Sequence, residues 1–137
     1  MSSAGYSNTP LGKKLGISPS MKLMLINPPE HYADWLGTDI STQMARHKET
    51  PDLIHLFAAD KKAFRASMRK IKPMIKKNRA LVIWVSWYKK SSGIPTDILE
   101  DDIRHYALQN DLVDVKVCAV TETWSGLKLV VPMAKRH

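Results

Sequence analysis

Three stretches of the chain are apolar with almost no alternation: MKLMLIN (21–27), DLIHLFA (52–58) and ALVIWVSW (80–87). Short continuous runs of this kind predict strands covered on both faces, as in a parallel sheet. The third, rich in β-branched and aromatic residues, is the strongest. Each run is followed by a segment of helical period. EHYADWLG (30–37) predicts a short helix, opened by Pro28 or Pro29 and closed by Gly37. In the segment after Asp60, a natural N-cap, Phe64, Met68, Ile71 and Ile75 recur at three- to four-residue spacing and define an inward face. Pro73 should end or kink that helix. DILEDDIRHYALQND (97–111) predicts a third helix, with Asp97 and Glu100 spaced as a capping box and Leu99, Ile103 and Tyr106 or Ala107 facing inward. LVDVKVCAVTE (112–122) and GLKLVVP (126–132) alternate more, which fits a half-exposed antiparallel pair joined through TWSG. YKKSSGIPT (88–96) reads as a loop. Residues 38–51 show no period, and whether they hold a short strand stays open.

Residues 1–20 are polar and broken by Gly and Pro, and they read as an arm. Tyr6, Leu11, Leu15 and Ile17 could pin it to the body, with a short helix from about Thr9 to Leu15 and Pro10 in its first turn. Residues 21–137 form a single domain. Strand–helix units followed by a hairpin predict an α/β fold: a Rossmann-like three-layer sandwich with a mainly parallel sheet, closed by a C-terminal antiparallel hairpin. At 137 residues the chain can bury one core without staples.

Composition excludes several classes. A single cysteine, Cys118, rules out an intramolecular disulfide and a cysteine-based metal site. His31, His47, His55, His105 and His137 show no metal-ligand spacing, so no metal is expected. His55, mid-strand, reads as a buried and satisfied histidine. Cys118 reads as core; Trp84, Trp87 and Trp124 could line a pocket or fill the core, and core is the better reading. No apolar run nears the roughly 18 residues that span a membrane, and the N-terminus lacks a signal peptide's apolar stretch. The expectation is a soluble cytoplasmic protein. The formal net charge is +8, and nine of the 21 Lys and Arg residues lie between Lys61 and Arg79. Such a balance points to an anionic partner.

The order of elements resembles that of class I S-adenosylmethionine-dependent methyltransferases. MKLMLIN takes the place of the first, cofactor-binding strand, DLIHLF that of the strand carrying the fourth motif, and the last strand–helix unit and closing pair end the fold. GYSNTPLGKKLGI, WVSWYKKSSGIPTD and DVKVCAVTETWSGLKLV also resemble a family of small uncharacterised bacterial proteins, in which proline is expected where Tyr88 stands. That family brings no agreed activity.

The methyltransferase likeness implies a glycine-rich turn after the first strand, where the backbone approaches the nucleoside. None of the six glycines lies between Met21 and Trp35. The turn is Asn27-Pro28-Pro29-Glu30, which removes two backbone donors and adds a negative charge. Asn-Pro-Pro also resembles the start of the Asn-Pro-Pro-aromatic motif of amino-methyltransferases. Here, however, Glu30 follows and Tyr32 comes two places late, so a rigid turn is the better reading. S-adenosylmethionine is therefore not the expected cofactor, and no other is predicted. SWYKKSSGIPTD leaves the carboxyl end of a central strand, where open α/β sheets bind ligands. A candidate ligand site there comprises Asn27, Glu30, Tyr32, Ser86, Trp87, Lys89, Lys90, Ser91 and Ser92. It suits an anionic small molecule or a protein partner, and its structural counterpart is a solvated loop. A second candidate is a nucleic-acid patch of Arg65, Arg69, Lys72 and Lys76. Against it stand the ordinary solubilising role of a charged helix face and the lack of aromatic residues interleaved on that segment. Three readings follow: a non-catalytic binding or interaction module lacking the cofactor loop, a methyltransferase with an atypical cofactor turn, and a nucleic-acid-associated protein using the basic helix. No membrane partner is expected.

Overall fold

The three apolar runs become neighbouring strands of one open five-stranded sheet. The structure, a computed structural model, describes residues 10–136. Tyr6, Thr9 and His137 lie outside the described residues. Strand β1 (Leu23–Ile26) pairs in parallel with β2 (Leu53–Phe57), and β2 with β3 (Val82–Tyr88). Strand β5 (Trp124–Val130) lies antiparallel between β3 and β4 (Val113–Ala119). The order is β1-β2-β3-β5-β4. The sheet is therefore evenly mixed, with two parallel and two antiparallel pairings, rather than mainly parallel. Only β5 runs against the other strands, but its interior position makes it count twice.

Strand alternation sorts the core into two layers. On one face, helices α3 (Lys61–Lys77) and α4 (Glu100–Gln109) set Phe64, Met68, Ile71, Ile75, Ile103 and Ala107 against Ile54, Leu56, Ile83, Val85, Leu127 and Leu129. On the other, α1 (Leu11–Leu15) and α2 (Tyr32–Leu36) cover Leu23, Leu53, Phe57, Trp84 and Trp124. The arm is tied down by Trp84, whose indole N–H donates to the Leu15 carbonyl at 2.9 Å.

Several local expectations need correction. Neither proline opens α2: its N-cap is His31, and only Gly37, left-handed at φ 75°, closes it as expected. Helix α3 does not end at Pro73 but continues one turn to Lys77, with Ile75 packed beyond the proline. Helix α4 starts at Glu100, not near Asp97. Asp102 takes the capping role by accepting from the Leu99 N–H at 2.8 Å, and Asp97 instead accepts from the Lys61 N–H, tying down the start of α3. Leu99 is consequently 44% exposed rather than inward. TWSG is not the connection between β4 and β5: Trp124, Ser125 and Gly126 already belong to β5. Within residues 38–51, Met44 forms a single parallel bridge to Leu23, shielding the outer edge of β1. Among the described residues no helix is long and apolar enough to cross a membrane.

Candidate functional site

The carboxyl ends of β1, β2 and β3 share one edge of the sheet, where open α/β folds place ligands. Beyond the end of β3 lies a cavity of 570 Å³, lined by Trp87, Lys89, Lys90, Ser91 and Ser125 on the sheet side and by Leu99, Glu100, Asp101 and Arg104 of the α4 start. The chain turns sharply there. The Lys89 N–H donates to the Thr123 carbonyl at 2.9 Å, fixing the loop to β5's neighbourhood. Residues Lys90–Ser92 make one 3-10 turn that Gly93 ends at φ 75°. Ser92 supports this turn: its hydroxyl donates to the Lys89 carbonyl at 2.7 Å and accepts from the Ile94 N–H at 3.2 Å. Lys90 and Ser91 are left exposed. Arg104 is held in place by Glu100, by Asp101 at 3.7 Å and by Asp114 at 3.0 Å. The Asp114 hydrogen bond in particular pushes its guanidinium pKa up. The cavity thus has two lysines at a turn, a hydroxyl, an apolar wall from Trp87 and, on the α4 side, an arginine whose charge is balanced by Glu100, Asp101 and Asp114.

The other sequence candidates lie elsewhere. Asn27, at φ 55°, and Glu30 are exposed at the end of β1, separated from β3 by β2. Tyr32 and Ser86 are buried, and both are drawn onto His55. The Tyr32 hydroxyl sits 2.7 Å from His55 Nδ1, and His55 Nε2 sits 2.8 Å from the Ser86 hydroxyl. Phe57 stacks on the imidazole at 4.3 Å, and Trp124 closes edge-on over Phe57 at 4.9 Å. Burial drives the His55 pKa down from 6.5 to about 3 and pushes the Tyr32 phenol up, so both are neutral. In either tautomer one hydroxyl accepts from the ring N–H and the other donates to the bare nitrogen. A serine, a histidine and a third orienting group have the order of an activated nucleophile. Ser86 and His55 are both fully buried, and the three side chains form a polar clamp inside the apolar layer.

Arg65, Arg69, Lys72 and Lys76 are all exposed on α3. Two clefts, of 350 and 140 Å³, run between α3 and α4, and Tyr106 lines both. Sequence reasoning missed this tyrosine as part of the basic surface, because it belongs to a different helix. Cys118 is half-buried, and burial pushes its thiol pKa up, away from reactivity. Among the described residues no three His, Cys, Asp or Glu side chains gather as metal ligands.

Sheet order and layering together define an open α/β domain with helices on both faces. No protein-family model and no curated protein matches the chain. Among solved structures, it is similar to a protein in the NADB-Rossmann superfamily from Streptococcus agalactiae. The two are 10% identical with a TM-score of 0.47, over 93% of this chain and 70% of that one.

Proposed function

We propose that the chain is a methyltransferase-like Rossmann domain that serves as a non-catalytic binding module and holds a small anion at the carboxyl end of β3. The 570 Å³ cavity that joins Lys89, Lys90 and Ser91 to Arg104 carries this reading. A closing antiparallel pair after the third strand–helix unit supports the methyltransferase-like layout. Two features argue against S-adenosylmethionine chemistry. Pro28 and Pro29 follow the first strand in place of a glycine turn, and the buried Tyr32 ring packs over His55 just beyond them. The natural ligand is a small phosphate-bearing or carboxylate-bearing molecule held chiefly by Lys89, Lys90 and the Ser91 hydroxyl, since Arg104 is already engaged by Glu100, Asp101 and Asp114.

Thermal denaturation with millimolar pyrophosphate, adenosine monophosphate or S-adenosylmethionine tests this. A ligand at about 100 times its Kd adds about 2.7 kcal/mol to the folded state. The expected result is a rise in Tm with at least one of the phosphate compounds. That rise should disappear in the Lys89→Ala/Lys90→Ala variant, whose own Tm stays near the parent's. A rise with S-adenosylmethionine would instead favour the enzyme reading. A phosphate-induced rise that survives the double substitution would remove the site from β3.

A further inference from the structure

We propose a second, separate site: the groove between α3 and α4 binds single-stranded nucleic acid, with phosphates along α3 and bases against α4. The two walls of the groove differ. Helix α3 presents Arg65, Arg69, Lys72 and Lys76 at spacings of four, three and four residues, close to one cation per helical turn of about 5.4 Å. All four are exposed, while Phe64, Met68, Ile71 and Ile75 of the same helix are buried, so the cations form a stripe with a rigid backing. Arg79, just beyond the helix, extends the stripe into the smaller cleft. The facing stretch of α4 offers His105, Tyr106 and Gln109, with Asp102 at its start.

Tyr106 is the feature that selects a single strand. It is half-buried at the junction of the two clefts, and Phe64 braces it edge-on at 5.2 Å. Arg69 is close enough for its charge to pull on the phenol's titration, though burial outweighs it and the phenol pKa is raised. A fixed aromatic ring beside a row of cations suits a strand with one charged edge and one stackable edge. A duplex presents phosphates on both flanks and hides its base faces. The acids of the groove offset the stripe only in part: Asp102 is paired with Lys61 at 3.7 Å, and Asp111 is paired with Lys135 at 2.8 Å while also lying near Lys72 and Arg79, which leaves Arg65, Arg69 and Lys76 facing solvent.

Fluorescence anisotropy of the full chain with a labelled twelve-nucleotide oligothymidylate, read across a salt series, tests the proposal. Four phosphate contacts at about 0.7 each predict a log–log salt slope near −3. Changing Arg65, Arg69, Lys72 and Lys76 together to Gln should bring the slope close to zero with the circular dichroism spectrum unchanged. Tyr106→Leu should weaken oligonucleotide binding roughly 5- to 150-fold, the range for one lost stacking contact, while Tyr106→Phe keeps the affinity. If Tyr106→Leu fails to fold, the four-Gln variant and Tyr106→Phe decide alone. The proposal is overturned if no binding is seen at 50 mM salt. It also fails if a twelve-base-pair duplex binds as tightly, or if poly-glutamate competes as well as the oligonucleotide, which would assign the groove to an acidic protein.

Discussion

Acidifying the protein from pH 7.5 to about 5, above the range where its carboxylates titrate, should weaken it through His55. The imidazole is fully buried between two hydroxyls and a stacked Phe57, with no carboxylate in the cluster to support a positive charge. Its pKa falls from 6.5 to about 3 on folding. Between those values the unfolded chain binds a proton that the folded chain refuses, so stability rises with pH across that window. Full stability is therefore present above about pH 6.5 and drains away as the pH falls toward 3. The slope is on the order of 1 kcal/mol per pH unit, the free energy of one proton. Over the whole window the loss is on the order of 5 kcal/mol, a large part of the 5–15 kcal/mol that holds a typical domain together. The assay is urea unfolding followed by tryptophan fluorescence at pH 7.5, 6, 5 and 4. His55→Gln is the comparison, since Gln can donate and accept but does not titrate. The parent should lose stability steeply below pH 6, and the variant should be less stable at pH 7.5 but nearly level down to pH 5. Parallel curves for the two proteins would refute the assignment of acid sensitivity to this histidine.

Other outcomes follow from the packing. A Cβ at Gly126 would lie 3.1 Å from Val120 Cγ2 and 3.3 Å from the Trp84 ring, so Gly126→Ala should cost about 1–3 kcal/mol in urea unfolding by overpacking. Trp84→Phe leaves the Leu15 carbonyl without its buried donor and should cost about 1–3 kcal/mol. Hydrogen exchange should then show faster opening of the α1 amides. Asp60→Ala removes the side-chain acceptor for the Ala63 N–H and should cost about 1 kcal/mol. Tyr32→Phe and Ser86→Ala both act through His55, so their costs should not add: a double-mutant cycle should return a coupling of about 0.5 kcal/mol or more.

Hydrophobic period alone located the strands and helices, because burial on two faces leaves continuous runs and burial on one helix face leaves Phe64, Met68, Ile71 and Ile75. Details set by competition between neighbours were not legible. Asp102 rather than Asp97 caps α4 because Asp97 is engaged by α3, a contact 36 residues away in sequence. The Tyr32–His55–Ser86 clamp spans separations of 23 and 31 residues, so it needs the strand register before it can be seen. The candidate ligand site was only half legible. Adjacent strand residues point to opposite faces, which sends Ser86 to His55 while Trp87 borders the cavity. Asn27 and Glu30 share the sheet edge with Lys89 and Lys90 but are kept apart from them by β2. Tyr106 was invisible as part of the basic surface because the two helices meet only in the folded chain.

The central claim concerns the carboxyl end of β3, and an NMR titration of the ¹⁵N-labelled chain with pyrophosphate tests it most directly. Saturable amide shifts are expected at Lys89 through Gly93 and Glu100 through Arg104, at lower pyrophosphate concentration than any along α3, with Asn27 and Glu30 unmoved. Shifts that gather instead at Asn27 through Tyr32, or only along α3, would contradict it.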